Sequence, residues 1–594
     1  MPAPTLDFRN ANALWCSVLA ETLARLGVRQ AVTSPGSRSA PLTFALAQHP
    51  QIEAIPVLDE RSAAFFALGL AKQQHKPVVL VCTSGTAAAN YLPAIVEAHE
   101  SGVPLLVLTA DRPPELRECA SGQTIDQQKI YGGFVQFYHE LALPEAKLEL
   151  LRYLRQTVAH ACQRTLIPDA GPVHLNCPFR DPLVPVEDGT AGHLAKEISE
   201  KFFRHLSPVA EALSLTRGTG SRSATNNLAL SAVIDRRYRN GIIVAGPEAI
   251  ADPERYVKTV QRLARALGWP VLADALSPVR NLPMTGVVRV STYDALLRSP
   301  KQAERLQPEM VICLGGWPTS KVLRGWLEQS GAEILLLAPT VRNRDALHGR
   351  TRWIPASVED TDGTPVPPAT AGKHGKGDAA YAAAWQQAER AARRILDGTL
   401  REVIDLIEPK AAWLLAQHLP QATPLLVASS MPVRDLEYFW PVTDRRQRVF
   451  FNRGANGIDG TLSTALGVAH GGRPAVLLTG DLALLHDTNG FLLTPKLRGS
   501  LTIVLINNRG GGIFEHLPVA RFEPPFEEYF ATPQTVDFAK LCKAYGVGHT
   551  LIKDWTQFTT AISRLPARGI RVLEIRTDRK RDAAWRKRVL AAAG

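Results

Sequence analysis

The chain has 594 residues, and at roughly 100–200 residues per domain that length predicts about three to six domains rather than a single core. A 45% hydrophobic fraction with 21% charged residues excludes wholesale disorder and a fibrous chain. Lys and Arg total 68 against 56 Asp and Glu, so the formal charge of +12 points to an anionic partner: nucleic acid, a membrane surface or a small acid.

In chain order, short apolar runs alternate with longer amphipathic stretches, the pattern of βα units in parallel sheets covered on both faces. In the first block Ile52–Leu58 reads as a strand. It leads into a helix opened by Glu60, with Ala64, Leu68 and Ala71 at helical spacing. Val78–Val81 then runs into CTSGTAAAN and Pro104–Thr109 into ADRPPE, strands ending in residues that start helices. Ser214–Asn227 and Thr361–Asp378 are rich in Gly, Pro, Ser and Thr and read as linkers. Between them, Gly241–Ala245, Val271–Ala273, Met310–Leu314 and Ile334–Ala338 form a further α/β block. In the last block Pro474–Thr479 precedes GDLALLHDTNG and Leu501–Ile506 precedes NNRGGGIF. The polar residues beyond these strand ends stand where open α/β sheets bind ligands.

The seven cysteines are scattered with no C-x-x-C pair, so no disulfide scaffold or zinc site is written, and a reducing cytoplasm is expected. MPAPTLDFRNAN has no basic-then-apolar leader pattern, and no stretch approaches the roughly 20 apolar residues of a membrane span. A nucleic-acid reading of the charge finds no helix-turn-helix, zinc or RNA-binding aromatic signature. The basic tail Arg576–Arg588 reads most simply as a solvated helix face, with an intersubunit contact as the alternative.

The most informative pair of motifs is Gly480-Asp481 after one apolar strand and Asn507-Asn508 after the next, with Asn508 lying 27 positions beyond Asp481. One helix and one strand fit that span, which would bring Asp481 and Asn508 side by side at neighbouring parallel strand ends. Either dipeptide alone is a common cap or turn. Together they offer carboxylate, amide and backbone oxygens, the last from Arg509 or Gly510, as a hard cation holding a diphosphate requires.

This spacing resembles the thiamine-diphosphate fingerprint, with Leu482 where the usual motif has Gly. SPGSRSAPL, DERSAAFFALGLAK, TSGTAAAN, LTADRPPELR, QTIDQ, HLNCPFRDPL, NRGANGIDGTLSTALG and GDLALLHDTN occur in that order. Together they resemble the 2-succinyl-5-enolpyruvyl-6-hydroxy-3-cyclohexene-1-carboxylate synthases, thiamine-diphosphate enzymes of menaquinone biosynthesis. The resemblance implies three consecutive Rossmann-like α/β domains with parallel sheets: a pyrimidine-binding domain at 1–190, a central domain at 215–365 and a diphosphate-binding domain at 379–594. It implies a transferase of the carboligase type. Such an enzyme decarboxylates 2-oxoglutarate and adds the four-carbon carbanion equivalent to isochorismate, with thiamine diphosphate and Mg²⁺ or Mn²⁺ as cofactors. A homodimer or dimer of dimers is implied as well, in the cytoplasm, with no nucleic acid and no membrane span. A related carboligase of the acetolactate-synthase kind shares the fingerprint but not the SPGSRS and NRGANGIDG segments.

Residue by residue, the resemblance assigns catalytic roles to Glu60, Arg434 and Arg453. Glu60, Ser84, Gly85, Ile458, Gly480, Asp481, Asn508, Gly510, Ile513 and Phe514 would bind the cofactor, with Asp481, Asn508 and Gly510 as metal ligands. Ser430, Arg434 and Arg453 would hold 2-oxoglutarate, and Ser37, Arg38, Arg112, Gln123 and Lys321 would face isochorismate. Both substrates are dianions, and arginine meets a planar carboxylate with two parallel hydrogen bonds. The chain departs from the family pattern at Gly122, where Asn is usual, and at Val322, where some relatives carry a second basic residue.

Overall fold

The computed structural model describes residues 6–208, 238–348, 351–361 and 378–594. Of the two predicted linkers, Ser214–Asn227 lies outside these residues, as does Thr361–Asp378 apart from its two end positions.

Runs such as VVLVC, LLVLTAD and SLTIVLIN carry no polar alternation, so strands built from them must be covered on both faces. They are buried along their whole length at Val78–Cys82, Leu105–Asp111 and Ser500–Asn507. Three six-stranded sheets result, and every strand pairing in them is parallel. The first contains β1 (Gln30–Thr33), β2 (Glu53–Pro56), β3 (Val78–Cys82), β4 (Leu105–Asp111), β5 (Tyr138–Glu140) and β6 (Pro172–Pro178), in the order β2-β1-β3-β4-β6-β5. The second contains β7 (Gly241–Ala245), β8 (Val271–Ala273), β9 (Arg289–Val290), β10 (Met310–Leu314), β11 (Glu333–Leu337) and β12 (Thr351–Ile354), in the order β12-β11-β10-β7-β8-β9. The third contains β13 (Pro424–Val427), β14 (Arg448–Phe451), β15 (Ala475–Gly480), β16 (Ser500–Asn507), β17 (Gly548–Leu551) and β18 (Gly569–Arg576), in the order β14-β13-β15-β16-β18-β17. The first and third orders are the same. Among the described residues no helix is long and apolar enough to cross a membrane.

The chain divides into two compact units. One comprises Met1–Thr219, Asn452–His470 and His486–Leu497; the other comprises Gly220–Phe451, Gly471–Leu485 and Arg498–Gly594. The first sheet lies in the first unit, where the helix Glu60–Gln74 packs on the helix Thr461–Ala469. Their backbones touch: a Cβ on Gly69 would lie 2.1 Å from the Thr464 carbonyl oxygen, and one on Gly467 would lie 2.2 Å from that of Phe66. This crossing fixes both the N-terminus that carries Glu60 and the loop that precedes Thr461.

The second unit holds the other two sheets and corrects the reading of the basic tail. Arg579–Ala593 is a helix that packs against Ala379–Glu402, with Asp582, Trp585, Arg586, Val589, Leu590 and Ala593 buried. These positions recur at helical spacing, so an inward stripe runs beneath the charges and only the remainder of the helix is a solvated face. Arg586 is 1% exposed.

Overpacking a close backbone crossing costs about 1–3 kcal/mol. The Gly69→Ala variant should therefore unfold at a lower thermal or urea midpoint, and an unchanged midpoint would show that the two helices can part without loss.

Candidate active site

An open parallel sheet forms a crevice where two adjacent strands send their chains in opposite directions, at the strands' carboxyl ends. The strand orders put these points between β1 and β3, between β7 and β10, and between β13 and β15. Predicted site residues follow on directly: Ser37 and Arg38 after β1, Ser84 and Gly85 after β3, Ser430 after β13, and Asp481 after β15. Lys321, exposed, opens the helix that follows β10.

In the first unit, Glu60 is the first residue of its helix, and Asp59 caps that helix by accepting from Ser62 N at 2.9 Å. The end of β3 is close by, since the Glu60 carboxylate adds to the burial that drives the Cys82 thiol far up. Asn489 Nδ2 donates to Asp59 at 2.8 Å and Arg61 donates to the His486 carbonyl, so the HDTN segment braces this helix start. Gln123 Nε2 donates to the Ser84 carbonyl at 2.9 Å, and Ser84 Oγ donates to the Gln123 carbonyl at 3.0 Å. Gly85 N donates to Gln127 Oε1 at 2.8 Å. Arg112 donates to the Gly122 carbonyl. That contact uses only the backbone of residue 122, so the absent Asn side chain there does not break it. Arg38 is buried with Nη1 on the Phe179 carbonyl and Nε without a partner; burial, and then Arg112 nearby, lower its pKa. Ser37, Arg38, Ser84, Gly85, Arg112 and Gln123 thus surround the first crevice. Arg453 and Ile458 belong to a separate loop, anchored by the buried carboxylate of Glu97, which accepts from Gly454 N at 3.1 Å and Ala455 N at 2.8 Å. Lys72 sits 3.5 Å from that carboxylate.

In the second unit, β15 and β16 are neighbours with Gly480 opposite Ile506, so the turns carrying Asp481 and Asn508 are adjacent, as the spacing predicts. Asp481 Oδ2 accepts from Gly510 N at 2.9 Å and Oδ1 from Leu482 N at 2.8 Å. Gly510 has φ +139°, and a Cβ there would meet the Ala531 carbonyl oxygen at 2.4 Å, so only glycine suits this turn. Burial pushes the Asp481 carboxyl up to about 6. Asn508 turns Nδ2 to Glu408 Oε1 at 2.6 Å, while its buried Oδ1 has no partner. A desolvated carboxylate beside an unsatisfied amide oxygen fits a hard cation. Gly480 leaves open space beside it, and Ile513 and Phe514, both half-buried, follow on the short helix Gly512–His516.

Ser430 immediately precedes, and Arg434 stands on, the helix Met431–Phe439 beyond β13. Ser430 has φ +72° and ψ −131°, a conformation costing a non-glycine residue about 1–3 kcal/mol, of the kind concentrated at functional sites. Arg434 Nη1 donates to the Ser430 carbonyl at 2.6 Å. Burial lowers the Arg434 pKa, and Arg324 nearby adds to the shift. No carboxylate among the described residues lies within ion-pair distance of it, so the guanidinium keeps donors for an incoming anion. Burial and the surrounding Arg586, Lys587, Arg298 and Arg434 also hold His516 down to about 4.

Sequence reasoning missed the residues behind these: Glu97, Gln127, Glu408 and the buried Asp487, which accepts from Ser463 N at 2.7 Å. Gln127 and Asp487 lie inside quoted motifs, QTIDQ and GDLALLHDTN, where their spacing to Gln123 and Asn489 was available as a signal. Glu97 and Glu408 carried none.

The comparisons with known proteins agree with this geometry. A model described as "Thiamine pyrophosphate enzyme, N-terminal TPP binding domain" matches residues 16–130. "Middle domain of thiamine pyrophosphate" matches 220–425, and "Thiamine pyrophosphate enzyme, C-terminal TPP binding domain" matches 433–575. The chain is 54% identical over 591 residues to a 2-succinyl-5-enolpyruvyl-6-hydroxy-3-cyclohexene-1-carboxylate synthase of Synechococcus sp. (strain JA-3-3Ab), covering 98% of this chain and 96% of that protein. Proteins of the same name from Trichodesmium erythraeum (strain IMS101) and Microcystis aeruginosa (strain NIES-843 / IAM M-2473) are 50% and 51% identical, covering 98% of this chain and 98% and 99% of theirs. Three parallel α/β sheets, two crevices lined by predicted residues and full-length similarity of this degree establish that the chain belongs to the 2-succinyl-5-enolpyruvyl-6-hydroxy-3-cyclohexene-1-carboxylate synthase family of thiamine pyrophosphate enzymes.

Proposed function

We propose that the protein decarboxylates 2-oxoglutarate and adds the resulting four-carbon unit to isochorismate, giving 2-succinyl-5-enolpyruvyl-6-hydroxy-3-cyclohexene-1-carboxylate and CO₂. The observation that carries this reading is Arg434, a half-buried guanidinium with no carboxylate partner among the described residues, anchored on the strained Ser430 at the edge of the crevice that also carries Asp481. A pocket of that charge suits a dicarboxylate better than a monocarboxylate such as pyruvate.

The chemistry supplied by bound thiamine diphosphate is an electron sink for the pair left behind when CO₂ departs. Glu60, Ser84, Gly85, Ile458, Gly480, Asp481, Asn508, Gly510, Ile513 and Phe514 would hold that group, with Mg²⁺ or Mn²⁺ on Asp481, Asn508 and Gly510 against its diphosphate. Glu60 would hold a proton at the aminopyrimidine ring. Ser430, Arg434 and Arg453 would bind the carboxylates of 2-oxoglutarate, and Ser37, Arg38, Arg112, Gln123 and Lys321 those of isochorismate. Ile458, Ile513 and Phe514 would exclude water from the reacting carbon. The domains of the proposal are 1–190, 215–365 and 379–594, working as a homodimer or dimer of dimers. The cytoplasm suits the seven unpaired cysteines.

The direct test is to incubate the protein with thiamine diphosphate, Mg²⁺, isochorismate and either 2-oxoglutarate or pyruvate, and to seek the coupled product by mass. Product is expected with 2-oxoglutarate alone; coupling of pyruvate at a comparable rate would reject the substrate assignment. Loss of a general acid or base costs about 10²–10⁴-fold, so Glu60→Gln should reduce turnover by that factor, and near-normal turnover would remove Glu60 from the mechanism. Arg434→Ala leaves a substrate carboxylate unpaired, a loss of about 2–5 kcal/mol in kcat/KM for 2-oxoglutarate; unchanged kinetics would rule out Arg434 as its ligand.

A further inference from the structure

The basic tail contributes one side chain to the interior, and its contacts lead to the metal-type turn. Arg586 donates to Asp435 through Nε at 2.7 Å and through Nη2 at 2.6 Å, and Nη2 also donates to Glu408 Oε2 at 2.5 Å. The other oxygen of Glu408 accepts from Asn508 Nδ2 at 2.6 Å and lies 3.4 Å from Thr577 Oγ1. Glu408 N in turn donates to Asp582 at 2.9 Å. Glu408, Asp435, Asp582 and Arg586 are all at least 97% buried.

An asparagine amide presents an oxygen on one side and two N–H donors on the other, and a metal accepts only the oxygen. Were Asn508 reversed, its oxygen would face the Glu408 carboxylate and its donors would face the cation. Arginine has donors only, so Arg586 commits one oxygen of Glu408 to itself and leaves the other as an acceptor for Asn508. We propose that Glu408, held by Arg586, is the positioning residue that fixes the Asn508 amide with its oxygen toward the metal. This inference rests on the reading of Asn508 as a metal ligand given above.

The Glu408→Gln variant keeps the shape but reverses the logic. Arg586 would claim the one oxygen that the substituted side chain retains, and its NH₂ would then face Asn508 and turn that amide over. The holoenzyme's affinity for Mn²⁺ in the presence of thiamine diphosphate, read by the electron paramagnetic resonance of free Mn²⁺, is the measurement. Outer-shell partners of this kind are worth about 10–100-fold, so Glu408→Gln should raise the half-saturating Mn²⁺ by that factor. In an Asn508→Asp background, where an oxygen faces either way, the same change should leave it unaltered or lower it. An unaltered value in the native background, or an equal rise in both backgrounds, would overturn the proposal and leave Glu408 a general element of the fold. Asn508→Ala separates the two readings: if it leaves Mn²⁺ binding unaltered, the ligand assignment itself fails and this inference with it. Should Glu408→Gln not fold, Glu408→Asp keeps the charge but shortens the reach; a smaller rise, again abolished by Asn508→Asp, is expected, and its absence counts against the proposal.

Discussion

Parallel pairing is the constraint on which the rest of this architecture depends. When every strand of a sheet runs the same way, all carboxyl ends emerge on one edge, and the chain must return through a helix before the next strand. At β13 and β15 the two departures diverge. Ser430 and Asp481 are therefore brought to one crevice although β14 and a further helix intervene in sequence. The same geometry at β1 and β3 gathers Arg38 and Ser84. Left-handed backbone is needed at Gly85 and Gln123 in the first crevice, and at Ser430 and the Arg509-Gly510 turn in the other.

Desolvation then gives the gathered groups their character. Arg38, Glu97, Glu408 and Asp481 are buried and Arg434 is half-buried, and each is either compensated or left waiting. Glu97 is compensated by two backbone N–H groups and Lys72, and this holds the Arg453 loop at Gly454 and Ala455. The half-buried Arg434 has no anionic partner among the described residues, and the buried Asn508 Oδ1 has no donor, a costly state for a buried polar group. Unmet polar groups that converge on one strand edge distinguish a binding site from a structural ion-pair network, which Arg586 with its carboxylates exemplifies.

Much of this was legible in the sequence. Apolar runs ending in Gly-Asp, Asn-Asn or Ser-Gly mark buried strands and their ligand-bearing turns, because small polar residues favour a turn or a helix start where an apolar strand ends. The runs at Gly241–Ala245, Val271–Ala273 and Met310–Leu314 coincide with strands residue for residue. The interior role of Arg586 was hidden, since a run of basic residues reads as solvated unless the stripe of Trp585, Val589 and Leu590 is weighed against it. Its partner Glu408 lies 178 positions away, and no local pattern announces so distant a pairing. Nor could the assignment of Asn452–His470 to the first unit be read, because it turns on Gly69 and Gly467, and a glycine within a helix gives no sign of what approaches it.

That assignment bears on how the protein is made. Synthesis is vectorial, and early domains ordinarily fold before later ones emerge, at roughly 5–20 residues per second. Here the face of the Glu60–Gln74 helix that carries Gly69 meets its partner only once residues 461–469 have been translated, on the order of tens of seconds later. Until then the nascent chain holds an N-terminal module with that helix face uncovered. Completion of the Glu60 arm is in this way tied to arrival of the polypeptide's last third.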